Sequence, residues 1–245
     1  MMNRAAESWR HYKGILNGAK DLFDRKRVSS SEMETIYRSL FIRDLDRHGI
    51  QDDFYPIGSA ANHSLMYLIT RCLTEFPITR VVEFGGGQTS ILIDRLSGKM
   101  GKQMEITTVE QDAFWAERIR ALVRHRVVCA PLESEAVARR NISFYSFNEI
   151  EREGNIELAI VDGPTAFTRS TQWDRLGAVQ FLKGRLAPEF IVIFDDTERR
   201  GETEGARLFG AYLAANNFTH YTTTIRATKQ QTLFCSKGFR AAAYF

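Results

Sequence analysis

Residues 81–90 read Val-Val-Glu-Phe-Gly-Gly-Gly-Gln-Thr-Ser, an apolar run that meets three glycines and then two hydroxyl residues. Glycine at Gly85, Gly86 and Gly87 lets the backbone turn sharply and lets a ligand lie directly on the main chain. Thr89 or Ser90 is suited to cap a helix that starts there. A second apolar run, Ile106 to Val109, ends on Glu110 with Gln111 beside it. An acid about 20–25 residues past a glycine loop is placed to accept both ribose hydroxyls of an adenosine. Glu110 serves a dinucleotide as well as any other adenosine cofactor. The dinucleotide fingerprint, however, wants glycine at position 90, where Ser90 stands.

Three further carboxylates close apolar runs: Asp162 after Ile160-Val161, and Asp195-Asp196 after Ile193-Phe194. If those runs are neighbouring strands, the three acids meet above one sheet. Converging carboxylates are unfavourable unless a proton or a cation neutralises them, and hard oxygen ligands suit Mg²⁺, Ca²⁺ or Mn²⁺. A plainer reading has Asp162 on a cofactor or a backbone amide, Asp195 capping the following turn and Asp196 solvated.

Glu83 at a strand end, followed by Gly85 and Gly87, resembles the loop of class I S-adenosylmethionine-dependent methyltransferases, with Thr89-Ser90 in the GxGxST form seen in several O-methyltransferase groups. The resemblance covers about residues 57–237. It implies that S-adenosylmethionine lies along Glu83, Gly85, Gly86, Gly87, Thr89, Ser90, Glu110, Gln111 and Asp162, with adenine in an apolar slot at Pro131 and Leu132. The Asp162 and Asp195-Asp196 spacing resembles the metal-dependent catechol and caffeoyl-CoA O-methyltransferases. By that resemblance Asp162, Asp195 and Asp196 hold a divalent ion that binds the acceptor hydroxyl, and they are the catalytic residues. The phrases Val161-Asp162-Gly163-Pro164 and Asp195-Asp196-Thr197-Glu198-Arg199 are also similar to bacterial sugar and antibiotic O-methyltransferase-like proteins. Two departures keep a metal-free account open: Pro164 follows Gly163 where a histidine is common, and residues 165–174 form a longer stretch than in the catechol type.

Positioning these groups requires a particular architecture. Short apolar runs at 81–84, 105–109, 127–130, 158–161 and 191–194 predict strands, and amphipathic helices are expected between several of them. Such alternation means right-handed crossovers and a parallel sheet, which binds ligands outside the carboxyl ends of its strands. Runs at 221–228 and 231–236, joined by Lys229-Gln230, predict an antiparallel hairpin. The expected fold is therefore α/β: a doubly wound, mostly parallel seven-stranded sheet with a C-terminal hairpin. Residues 1–56 form a helical extension and 57–245 the methyltransferase domain. Within the extension, Ser31 and Glu34 read as a capping box before a helix with Met33, Ile36, Tyr37, Leu40, Phe41 and Leu45 on one face. With Leu22 and Phe23 upstream, that stripe must pack on the main domain or on a second copy, and a homodimer through these helices is the expectation.

The bulk numbers exclude other classes. Lys and Arg total 33 against 30 Asp and Glu, a net charge of +3 too scattered to argue for nucleic acid. Apolar runs fall well short of the roughly 20 residues a membrane span needs. Cys72, Cys129 and Cys235 are far apart and read as small buried residues of a cytoplasmic protein. His63 is expected as a packed or cap-region residue, Arg169, Arg199 and Arg200 as solvent-exposed, and Phe54, Tyr55, Phe167 and Trp173 as candidate walls of an acceptor pocket. The acceptor expected is a small-molecule or saccharide hydroxyl. The alternatives are an inactive methyltransferase-like interaction module and an NAD-dependent oxidoreductase.

Overall fold

The structure is a computed structural model and describes residues 29–56, 60–150 and 153–244. Leu22, Phe23 and the segment Gly58-Ser59 lie outside the described residues.

Helices α1 (Ser31–His48) and α2 (His63–Glu75) precede strand β1 (Arg80–Phe84), helix α3 (Gln88–Met100), strand β2 (Glu105–Glu110), helix α4 (Ala113–Arg120) and strand β3 (Arg126–Cys129). Then come β4 (Leu132–Val137), β5 (Arg140–Tyr145), β6 (Ile156–Val161), α5 (Leu176–Leu182), β7 (Leu186–Phe194), α6 (Arg200–Ala215), β8 (His220–Arg226) and β9 (Gln230–Ser236). The main sheet runs β3-β2-β1-β6-β7-β9-β8, with β9 antiparallel to both β7 and β8 and the remaining neighbours parallel. This is the mostly parallel seven-stranded sheet the sequence predicts, with the C-terminal hairpin in the expected place.

Alternate residues of the same strands feed two apolar layers. Val81, Ile106, Leu158, Ile160, Ile191 and Ile193 pack with α1, α2 and α3, whereas Val82, Val109, Ala159, Val161, Val192 and Phe194 pack with α5, α6 and the β4–β5 ribbon. Burial on both faces is why these strands read as continuous apolar runs rather than alternating ones. Both layers leave the carboxyl ends of β1, β2, β6 and β7 on one edge.

Several expectations need correction. Residues 132–145 form an antiparallel ribbon of their own, β4–β5, turning at Ala138 (φ 49°) and Arg139 (φ 62°). A two-residue turn with both φ values positive usually carries Asn-Gly or Asp-Gly, and that signal is missing here. Strand β7 begins at Leu186, five residues before the apolar run at 191–194 that predicts it. Cys129 is half-buried while Cys72 and Cys235 are buried.

The cap of α1 is Ser30, whose hydroxyl accepts from the Met33 N–H at 3.1 Å, one residue before the expected cap. Glu34 turns outward from the helix instead of back to its start. It accepts from Asn62 Nδ2 and the His63 N–H, each at 2.7 Å, and from the Thr228 hydroxyl at 2.9 Å. It thereby ties α1 to the start of α2 and to the β8–β9 turn. Tyr37, Phe41 and Leu45 are buried within the chain's own core and Met33 and Leu40 pack against it, whereas Ile36 of the same stripe is exposed. Most of the stripe thus packs on the main domain, one of the two partners expected for it. Among the described residues, no helix is long and apolar enough to cross a membrane.

Candidate active site

The carboxyl edge of the sheet opens into a cleft of about 1170 Å³ lined by the glycine loop, Glu110, Asp162 and Asp196 among others. Gly85 has φ +93°, and a Cβ there would stand 3.0 Å from the Asp162 carbonyl carbon and the Gly163 nitrogen. Only a residue without a side chain lets the β1 and β6 loops touch so closely. The Gly85 N–H donates to Val109 O at 2.9 Å and the Asp162 N–H to Phe84 O at 3.0 Å, fixing the loop between its neighbours.

Glu83 and Ser90 lie behind the loop, fully buried and outside the cleft lining. The Ser90 hydroxyl donates to Glu83 and accepts from the Gly87 N–H at 3.0 Å. Thr108 donates to the same Glu83 oxygen at 2.7 Å. Burial pushes the Glu83 carboxyl up to about 7, although the hydroxyls of Ser90, Thr89 and Thr108 favour its charged form. Glu83 and Ser90 therefore shape the loop from below, while Gly85, Gly86, Gly87 and Thr89 face the cleft.

Glu110 is buried at the cleft floor. One carboxylate oxygen accepts from Gly86 N–H at 3.1 Å and the other from the N–H groups of Gln111 (2.8 Å) and Asp112 (3.0 Å). A carboxylate has about four acceptor positions, so one remains open, on the oxygen that Gly86 engages. Asp112 caps α4 by accepting from Trp115 N–H at 2.7 Å, and the Trp115 indole donates to Gly86 O at 2.7 Å. Phe114 and Trp115 then stand at the mouth beside Gln111. Pro131 and Leu132 are not among the lining residues, because the chain turns away into β4 there and Leu132 is exposed. Tyr145, returning on β5, lines the cleft instead.

The three expected acids do converge: one carboxylate oxygen from each of Asp162, Asp195 and Asp196 lies within 4.8 Å of the others. They are not bare. Arg175 Nη2 is 3.2 Å from Asp162 Oδ1, and Arg175 Nη1 is 3.1 Å from Asp196 Oδ2. Arg199 pairs with Asp196 as well, and with Glu202 at 3.3 Å. Lys229 Nζ lies 3.2 Å from Asp195 Oδ2 and 3.3 Å from Asp196 Oδ1. Asp195, fully buried, also accepts from Gln231 Nε2 at 2.7 Å. Burial, and behind it the charge of Asp195, raises Asp162 to about 7.

Three cations thus sit among the three aspartates and Glu202. A divalent ion at the same point would stand beside an ammonium that already occupies two of its ligands. The donor set does not fit a resident metal, despite the geometry that a metal site would need.

Sequence reasoning missed Arg175 and Lys229. A signal for Lys229 existed: β9 runs antiparallel to β7 with Phe194 opposite Thr232, so the hairpin turn stands level with Asp195-Asp196. Arg199 is half-buried rather than exposed, while Arg169 is exposed and Arg200 lies over Trp173 at 5.5 Å. Of the four aromatic candidates, Tyr55 and Phe167 line the cleft. Phe54 packs on Phe41, and Trp173 is flanked by Arg140 and Arg200. His63 Nδ1 is 3.2 Å from Glu34 and stands apart from the cleft lining.

No protein-family model and no curated protein sequence matches the chain. Solved structures similar to it are class I methyltransferases. They include the O-methyltransferase from Bacillus cereus in complex with S-adenosylhomocysteine, at 15% identity over 81% of this chain and 91% of that one, with a TM-score of 0.48. A methyltransferase from Pyrococcus furiosus is 13% identical over 83% and 96% of the two chains, with a TM-score of 0.49. The precorrin-6y C5,15-methyltransferase from Geobacter metallireducens is 9% identical over 79% and 97%, with a TM-score of 0.47.

Proposed function

We propose that this chain is an S-adenosylmethionine-dependent methyltransferase whose acceptor is a hydroxyl of a small molecule or sugar. The observation that carries the cofactor reading is Glu110: a buried carboxylate at the end of β2, wired to the Gly86 N–H, facing a cleft floored by glycines. It supports an adenosine whose ribose diol binds Glu110, with adenine beside Phe114 and Trp115 and the sulfonium end toward Asp162.

Methyl transfer needs the nucleophile aligned behind the methyl carbon, so the protein's task is largely positioning. The acceptor oxygen attacks the methyl carbon, the carbon–sulfur bond breaks with its electron pair going to sulfur, and the hydroxyl proton leaves to a base. Asp162 is the carboxylate on the cleft wall suited to that role, because burial holds it near neutrality. Asp196 also lines the cleft but is paired with both arginines, and buried Asp195 is a scaffold for its neighbours. Tyr55 and Phe167, both exposed at the mouth, offer flat apolar faces for the acceptor.

Calorimetric titration with S-adenosylhomocysteine and, separately, NAD tests the cofactor assignment. Binding of the first and not the second is expected. Glu110→Ala should weaken it by about 30–150-fold, the loss of about 2–3 kcal/mol from a hydrogen bond to a buried charged group. Equal affinity in wild type and a folded Glu110→Ala variant would remove the assignment.

A further inference from the structure

The carboxylate cluster at the ends of β6 and β7 has the shape of a divalent-cation site with an ammonium already seated among its ligands. Lys229 is the reason. Its ammonium touches Asp195 and Asp196 together, at 3.2 and 3.3 Å, and these are two of the three acids whose oxygens converge. Although burial opposes its charge, Asp195 and Asp162 hold the Lys229 ammonium above its ordinary range.

The position of Lys229 is built, not incidental. It sits on the β8–β9 turn. There Ala227 O accepts from the Ser30 N–H at 2.8 Å, the Thr228 hydroxyl donates to Glu34 at 2.9 Å, and Asn62 Nδ2 donates to Thr228 at 3.2 Å. Elements before β1 thus anchor the turn that delivers the lysine. Behind it, Gln231 Nε2 fixes the second Asp195 oxygen and is itself held by Ser64, whose hydroxyl donates to Gln231 Oε1 at 2.7 Å. One Asp195 oxygen therefore faces Gln231 and the other faces Lys229. Asp195 is thereby partnered on both oxygens without an added ion.

We propose that Lys229 is the resident cation of this cluster, standing where a divalent ion would otherwise bind, and that its ammonium holds the acceptor oxygen in the cleft. An ammonium has three N–H donors. Asp195 takes one, Asp196 is an ion-pair neighbour, and Lys229 also lines the cleft, so a remaining donor serves a ligand oxygen. A positive group at that oxygen stabilises the charge it acquires as its proton leaves. The role in catalysis rests on the methyltransferase reading; the role as resident cation rests on the cluster alone. The corollary is a latent metal site: without the ammonium, three converging carboxylates are left short of positive charge.

The test is Mn²⁺ binding, by calorimetry and electron paramagnetic resonance, to wild type, Lys229→Met and Lys229→Ala, with folding checked by circular dichroism. Wild type is expected to bind Mn²⁺ weakly or not at all, and the variants at least about tenfold more tightly, with Asp195→Asn in the Lys229→Met background removing the gain. A variant that folds only when Mn²⁺ is present also supports the proposal. Tight stoichiometric Mn²⁺ binding by wild type overturns it, as do variants that gain no affinity or stay unfolded with Mn²⁺. Titrating wild type with S-adenosylhomocysteine keeps the two readings apart: its failure to bind removes the methyltransferase and leaves the cation result standing.

Discussion

The Ser90 hydroxyl joins the buried carboxylate of Glu83 to the backbone N–H of Gly87, so the strand acid and the glycine loop are one hydrogen-bonded unit. Ser90 itself does not face the cleft. Its effect on a ligand has to pass through the loop. Ser90→Ala removes both bonds and leaves Glu83 with the hydroxyls of Thr108 and Thr89. A buried hydrogen bond contributes about 0.5–1.5 kcal/mol net, so S-adenosylhomocysteine should bind roughly 2–12-fold more weakly. Ser90→Thr should recover most of the loss. Isothermal titration of the three proteins decides it, and equal affinities would show that the loop needs no such tie.

The same carboxylate makes stability depend on pH. Burial raises Glu83 from 4.5 to about 7. The folded protein therefore holds this proton more tightly than the unfolded chain does. The stabilisation is complete below about pH 4.5 and is lost as pH rises through 7. Other titrating groups cancel if wild type is compared with Glu83→Gln at each pH. Between pH 5 and 8 the difference in unfolding free energy should move by about 2–3 kcal/mol in favour of the glutamine variant. A difference that stays constant across that range, in urea titrations at each pH, rules the account out.

How much of this was legible in the residues differs from element to element. The parallel strands announce themselves because both faces are buried and their apolar runs are unbroken. Glu110 and the glycines are legible because one strand delivers each of them to a known edge. Pro131 and Leu132 fall outside the cleft lining because the chain enters the β4–β5 ribbon there, and that ribbon is hard to read because its turn uses Ala138 and Arg139, residues with no marked preference for positive φ. The cluster's cations were missed for a different reason. Lys229 reaches Asp195 across 34 residues of chain, through the packing of β9 beside β7. A sequence shows that converging acids need a partner, but only the sheet order says which lysine supplies it.

Gly163 is the steric counterpart of Gly85. A Cβ on it would lie 2.2 Å from the Tyr145 hydroxyl and 2.7 Å from Gly85 Cα and N. Gly163→Ala should therefore cost about 1–3 kcal/mol by overpacking and should also displace the cofactor loop. Adding Tyr145→Phe relieves the hydroxyl contact but not the contact with the Gly85 backbone. The double variant should consequently remain short of wild type in both urea stability and S-adenosylhomocysteine affinity. Full recovery by Tyr145→Phe would place the whole penalty on the tyrosine and deny the contact between the two loops.

Arg175 carries the last prediction, because it joins two of the three acids. It is buried, pairs with Asp162 and Asp196, and donates through Nε to Pro164 O at 3.0 Å. Removing one partner from a buried charge network costs more than the network contributes in total, since the remaining charges stay buried without compensation. Arg175→Ala should destabilise the protein by about 3–5 kcal/mol. At this chain length that corresponds to a fall in Tm of roughly 6–20 °C. Arg175→Lys keeps the charge but loses the planar fork that reaches two carboxylates and a carbonyl at once, so it should fall between the two. Asp162→Asn should recover part of the Arg175→Ala loss, because it removes one of the stranded charges; the two sites share a partner and will not be additive. Calorimetric melting of the four proteins tests the whole set. Should Arg175→Ala melt within about 2 °C of wild type, less than 1 kcal/mol, the acids do not depend on this arginine for their burial.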